Sequence, residues 1–472
     1  MKAIKYFVVG AMISITAPAV AQDIEYGKAL VPISQALKAD PNNADAAKDL
    51  VKSYMKEYKK DPEALVALGS TFLGVKNYSK AEEIANLVIE KNKKNAKAQA
   101  EAYILLGDAE AMKDATGNGG GAASHYATAM SLDPKNPSGY TRYASVYRKI
   151  NPKLVEETYA KLRAEIPDYP IEAEAGHSFF SANKFDLAFE NYGKANINKL
   201  DEAKMVEYLI SAIQLKKYSD ALSISKTGVS RFPKNITLNQ LGLWSAVETG
   251  SYDEAIGIAE KFLQLEGEKN STDYTYYGKA LLGAKRHNEA IAQFEKAMEV
   301  DANATEPLAR LSEAYAGLGD EDKALQYSED YMKKNPNASP SDYAKLAQIY
   351  VAKAEKGIDK SANFTKAIGI YDKMAEKYPS IASWAYMIAA GVADKSGNID
   401  LGASYNQKIV DELANKADRD ADETGYLTQA LRLLGFYYWS EKNNLEAAKP
   451  YYQKLIELDP NDKNAKAALG IE

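Results

Sequence analysis

Cysteine is absent from all 472 residues. Disulfides, thiolate metal sites and thiol catalysis are thereby excluded, and so is acylation of a cysteine at an export cleavage site, which closes the lipoprotein route. Histidine is nearly absent too. His125, His177 and His287 stand in three separate segments, none has a partner at metal-ligand spacing, and no His-Glu-x-x-His occurs. They read as surface or groove residues. The glycine run Gly117 to Gly121 (with Asn118) lacks the Lys-Ser/Thr ending of a phosphate loop and follows no strand pattern, so it reads as a hairpin turn. No nucleophile elbow and no Ser-His-Asp order appear, and the carboxylates are spread as on the solvated faces of helices. No catalytic residue, cofactor or metal is expected. One acidic segment, Asp418 to Glu423, alternates carboxylates as calcium loops do. It carries Glu423 where such loops need glycine and Gln429 where they need glutamate. It reads as an acidic loop, with Asp422 and Glu423 at the positive end of a following helix.

What is present points to helices. The chain is 46% hydrophobic and 26% charged, enough apolar surface for a large core. Tyrosine outnumbers phenylalanine 33 to 11, and stretches alternating Val, Ile and Thr are few. The formal charge is −6, a mixed and mildly acidic balance with no footprint for nucleic acid. Residues 1–21 differ from the rest. Lys2 and Lys5 precede an apolar run from Phe7 to Ala17, and Ala19-Val20-Ala21 puts small residues at both positions a signal peptidase reads. A secretory signal cleaved after Ala21 is expected, which would place the chain in a bacterial periplasm or another extracytoplasmic compartment. No second apolar run reaches the length of a membrane span.

One pattern returns about every 34 residues. Its clearest copy begins at Ser271, with Tyr274, Tyr277, Gly278 and Leu281 on a first helix and Ala290, Phe294 and Ala297 on a second. Both sets keep the three-or-four spacing of one helix face. The next copy has Leu308, Leu311, Tyr315, Ala324 and Tyr331 at the same offsets and closes at Pro336. Small residues such as Gly278 and Ala290 are expected where two helices cross, and large ones such as Phe294 towards the next hairpin. Proline recurs after the second helix, as Pro134, Pro167, Pro233, Pro336, Pro379 and Pro460. Extra residues at Asp114–Gly121, Lys353–Asn363 and Lys416–Tyr426 are expected to lengthen loops.

These residues resemble the tetratricopeptide repeat, whose pattern runs Trp/Leu/Tyr, Leu-Gly, Tyr, Ala, Phe/Tyr, Ala, Pro. Other copies carry Leu65, Leu68-Gly69, Phe72 and Ala81, or Leu434-Gly435, Tyr438, Ala448, Tyr452 and Pro460. The resemblance implies an all-α fold, a right-handed superhelical solenoid of antiparallel helix pairs. About eleven repeats are expected over 62–461, with capping helices over 22–61 and a short helix over 462–472. Such proteins hold a protein or peptide partner against their first helices. Carried over position by position, this implies a groove lined by His177, Phe180, Ile210, Ile213, Trp244, Val247, Trp384, Phe436 and Trp439, a set containing all three tryptophans. The alternative role is a structural part of an envelope assembly, using convex or edge surfaces. The family's Lys/Asn/Arg grip on a terminal carboxylate is not reproduced: Ser138, Thr141, Arg142 and Ser145 stand there in one copy, Thr272, Thr275 and Lys279 in another.

Overall fold

The computed structural model describes residues 25–40, 45–113 and 119–471; the expected signal segment and part of the glycine turn lie outside them. The described residues form twenty-five α-helices and no strand. α1 (Glu25–Ala39) and α2 (Lys48–Tyr58) come first. Five pairs follow: α3 (Pro62–Gly74) with α4 (Tyr78–Lys91), α5 (Ala96–Lys113) with α6 (Gly120–Leu132), α7 (Pro137–Tyr147) with α8 (Pro152–Glu165), α9 (Ile171–Ser181) with α10 (Phe185–Lys194), and α11 (Glu202–Gln214) with α12 (Tyr218–Arg231). α13 (Ile236–Glu248) precedes α14 (Tyr252–Leu263). Five more pairs are α15 (Ser271–Gly283) with α16 (His287–Val300), α17 (Glu306–Gly317) with α18 (Glu321–Lys334), α19 (Pro340–Glu355) with α20 (Lys360–Lys377), α21 (Ala382–Ser396) with α22 (Ile399–Leu413), and α23 (Ala421–Phe436) with α24 (Leu445–Leu458). α25 (Lys463–Leu469) is last. The chain forms two compact units, residues 1–245 and 246–472, their boundary falling inside α13. Within each unit the two helices of a pair pack together, and first helices of successive pairs also touch, as α5 with α7, α9 with α11, and α21 with α23.

The turn inside each pair is short and repeats one geometry. Residue Lys76, Asn183, Lys216, Gly250, Lys285, Gly319 or Gly397 adopts positive φ after the first helix. The next backbone N–H then bonds back five residues, as Asn77 to the Phe72 carbonyl (2.9 Å) and Arg286 to the Leu281 carbonyl (2.8 Å). This Schellman closure satisfies carbonyls that the helix end would otherwise leave bare. In several pairs the same residue caps the second helix, as Asn77, Asp320 and Asn398 do through their side chains. Each repeat proline directly follows the C-cap of a second helix; at Asp133, Asn335 and Asp459 that C-cap side chain accepts an N–H two residues on.

Where a first helix crosses its partner, a glycine meets a ring. A Cβ at Gly278 would lie 2.4 Å from the Phe294 ring, one at Gly107 2.4 Å from Tyr126, one at Gly176 2.8 Å from Tyr192, and one at Gly435 2.5 Å from Tyr452. All four rings are almost completely buried. The expectation for Phe294 is corrected here. Its ring fills the crossing of its own hairpin, because the missing Cβ of Gly278 opens space there first.

The expected loop insertions fare differently. Lys353 to Glu355 belong to α19 and Lys360 to Asn363 to α20, so these residues extend two helices around a four-residue turn. Ala421 to Tyr426 are the start of α23, begun early because Asp420 and Glu423 form a reciprocal capping box.

Gly278→Ala forces a methyl into the Phe294 ring and is expected to cost about 1–3 kcal/mol. Native-state hydrogen exchange of α15 and α16 reads this locally, and Phe294→Leu added to Gly278→Ala is expected to recover part of it. Equal protection in wild type and Gly278→Ala would contradict the crossing.

Candidate protein-binding face of the first helices

Nine residues were placed on the first-helix face by sequence. His177 and Phe436 are exposed, Phe436 by 49%. Phe180, Ile210, Trp384 and Trp439 are half-buried. Ile213, Trp244 and Val247 are buried, at 7%, 8% and 7% exposure, and offer no contact surface in this conformation. In several repeats a first helix touches both its own partner and the neighbouring first helix, so a position between core residues can be covered from either side. Phe180 packs edge-on against Phe185 (5.8 Å), and Trp384 joins the core cluster of residues 346–405.

Ion pairs between neighbouring first helices dominate the middle of this face. In the first unit, Arg142 Nε donates to Asp108 (2.6 Å), Lys204 pairs with Glu174 (3.3 Å), and His177 Nδ1 meets Glu207 (3.0 Å). In the second, Lys279 lies 3.4 Å from Glu248 and 3.6 Å from Glu306, Lys345 meets Glu313 (2.8 Å), and Lys395 meets Glu355 (2.8 Å). Arg142 and Lys279, the cations nearest to a carboxylate grip, are thus engaged inside the chain. Thr275 is buried and donates to the Ser271 carbonyl.

Two of these pairs share a third member that sequence reading missed. The Tyr126 hydroxyl donates to Asp108 (2.9 Å), and the Tyr192 hydroxyl donates to Glu207. Burial first, and then the neighbouring carboxylate, raise both phenols far above their ordinary range, so they remain donors. The signal in the sequence is faint: a carboxylate or histidine directly after the crossing glycine, as in Gly107-Asp108 and Gly176-His177.

The last hairpin departs from the others. Seven residues separate the crossing glycine from the left-handed turn residue in Gly69–Lys76, Gly176–Asn183 and Gly278–Lys285, whereas Gly435–Asn443 spans eight. The surplus residue is taken up by a π-helical turn over Tyr437–Glu441, closed by Lys442 N–H to the Tyr437 carbonyl (3.0 Å). Tyr438 stacks on Tyr451 (5.5 Å), and Trp439 stands edge-on to Tyr452 (6.0 Å). Leu433, one helical turn before Phe436, is 37% exposed.

At the acidic loop, Asp420 caps α23, Glu423 pairs with Lys416 (2.5 Å), and Arg419 donates to the Leu413 carbonyl at the end of α22 (2.7 Å). Among the described residues, no three His, Asp or Glu side chains gather as a metal site would need, and no helix is long and apolar enough to cross a membrane.

Tetratricopeptide-repeat family profiles match residues 281–349 and 428–462, the stretches holding α16 to α19 and the π turn. The chain is a tetratricopeptide-repeat protein. Over 270 residues, 55% of this repeat chain, it is 24% identical to DnaJ homolog subfamily C member 3 of Gallus gallus. The match takes in 47% of that relative, about half its length. Among solved structures, the C-terminal part of a TPR repeat-containing protein from Cytophaga hutchinsonii is 20% identical, with a TM-score of 0.45, over 56% of this chain and 99% of that one. MamA is 18% identical, with a TM-score of 0.33, over 39% of this chain and 94% of its own.

Asp108→Ala removes the acceptor of a buried hydroxyl and the counter-ion of Arg142. A loss of about 3 kcal/mol is expected in the stability of the α5–α7 region, and less for Asp108→Asn, which keeps an acceptor. Hydrogen exchange of α6 and α7 measures it; indistinguishable protection in the alanine variant would show the network to be idle.

Proposed function

We propose that this chain is a non-enzymatic adaptor that holds a protein partner, or an extended segment of one, against the first helices of its C-terminal hairpins. The single observation behind this reading is Phe436. It stands 49% exposed, with Leu433 one turn before it and the half-buried Trp439 in the π turn after it. Large apolar side chains left in solvent on consecutive turns of a helix are the usual anchors of protein contacts. Trp384 on the adjoining first helix α21 would extend the contact. The ion-paired middle of the face would then contribute register and exclusion of wrong partners, since its charges are already matched.

A second reading, a structural part of an envelope assembly, draws support from another edge of the second unit. Leu318 and Ile358 occupy the intra-hairpin turns of two successive pairs and Ile399 opens the second helix of the next, at 44%, 46% and 45% exposure. The extracytoplasmic location belongs to the same proposal and rests on the Lys2 to Ala21 segment.

Photo-crosslinking in the native cell separates the two roles. With a benzoylphenylalanine at position 436 or 358, the adaptor reading expects a defined adduct from 436. Adducts from 358 alone would favour the assembly, and none from either would overturn both. Leu433→Ala with Phe436→Ala is expected to abolish the 436-side complex while shifting stability by no more than about 0.5 kcal/mol, as exposed positions do. Export is read from the N-terminus of the protein recovered by osmotic shock, which is expected to be Gln22. A cytoplasmic chain retaining Met1 would exclude it.

A further inference from the structure

His177 and Asp108 hold equivalent positions, each directly after a crossing glycine on a first helix. Their partners are equivalent as well: Glu207 and Arg142 each sit on the following first helix, 30 residues after His177 and 34 after Asp108 respectively. In both places a buried tyrosine of the intervening second helix donates to the carboxylate. The two ties have the same geometry with the charges exchanged. One uses a cation that never loses its proton, Arg142; the other uses an imidazole.

We propose that the junction of α9 and α11 is a proton-sensitive tie between two hairpins, closed by charged His177 in mildly acidic surroundings and loosened when the ring becomes neutral. The imidazole Nδ1 lies 3.0 Å from both oxygens of Glu207, whose side chain is 16% exposed. From α11, Lys204 also faces the site, paired with Glu174 of α9 and with Asp201 at the start of α11. From α10 comes the Tyr192 hydroxyl. On the side of α7 and α8 stand Tyr159, bonded to the Glu174 carbonyl, and Arg148, which acts on Tyr159. The hydrogen bond to Glu207 holds His177 above the ordinary imidazole value of 6.5, against burial and Lys204 and with help from Glu174. For a histidine raised in the folded state, the added stability is complete below the ordinary value. It is lost as pH climbs through the folded one. Lys204, held despite burial above its ordinary value by Glu174 and Asp201, stays charged through this range and joins the same two helices.

Two readouts on the full chain test this. With only three histidines, His177→Gln assigns the His177 resonance, whose titration midpoint is expected above 6.5 and to fall in Glu207→Gln. Hydrogen-exchange protection of α11, corrected for intrinsic rates, is expected to be about three- to tenfold higher at pH 5.5 than at pH 8.0. That ratio is expected to approach one in His177→Gln and in Glu207→Gln, while Lys204→Met lowers protection equally at both pH values. A midpoint at or below 6.5, or a ratio that persists in both site variants, would overturn the tie.

Discussion

A helix lacking one Cβ lets an aromatic ring rest on its backbone, and the hairpins of this chain are organised around that contact. Gly107, Gly176, Gly278 and Gly435 each receive a ring from the second helix of the same pair. The ring buries a large apolar area at the crossing, and its position fixes how far one helix slides along the other. Everything outside the hairpin inherits that setting. The face that a first helix presents to its neighbour is displaced by the crossing, so a methyl inserted there disturbs contacts one repeat away.

At Tyr126 and Tyr192 the crossing residue adds something phenylalanine cannot. The ring seats the hairpin, while the hydroxyl reaches a carboxylate shared by two successive first helices, Asp108 in one case and Glu207 in the other. One side chain thus links packing within a hairpin to stacking between hairpins. Phe294 seats its hairpin without this link, and there the first helices are joined by Lys279 between Glu248 and Glu306 instead. Partly exposed pairs of the latter kind contribute about 0–1 kcal/mol each and weaken in salt. The carboxylates of the phenol ties are more buried, Asp108 and Glu207 at 6% and 16% exposure against 33% and 50% for Glu248 and Glu306.

The hairpin phase was legible in the sequence because it is carried by residue types with one packing solution. Gly278, Ala290 and the prolines after the second helices can be placed by spacing alone. The face of the first helices was less legible. Ile213, Trp244 and Val247 occupy positions that a single amphipathic helix would leave open, yet in the folded chain they are 7%, 8% and 7% exposed. Sequence spacing describes one helix at a time and is blind to that. The tyrosine ties were illegible for a different reason: with 65 acidic side chains in the chain, spacing cannot say which carboxylate meets which hydroxyl. The eight-residue interval from Gly435 to Asn443 was countable, yet whether an extra residue becomes a longer loop or a π turn depends on tertiary contacts such as Tyr438 on Tyr451.

These constraints bear on how such a chain could choose a partner. A face whose charges are already matched offers little to a ligand that brings charge alone, because each new ion pair must displace an existing one of similar worth. Discrimination then falls to groups that are not matched. On the described first helices, the large apolar side chains that stand out in this way are Leu433 and Phe436, on the first helix of the hairpin whose geometry departs from the rest. The π turn rotates the residues after Phe436 relative to a regular helix while Tyr452 keeps the crossing at Gly435 in place. The hairpin therefore retains the packing of its neighbours and presents a different outer surface. One inserted residue is enough to separate the two requirements, since the crossing lies before the insertion and the altered side chains lie after it.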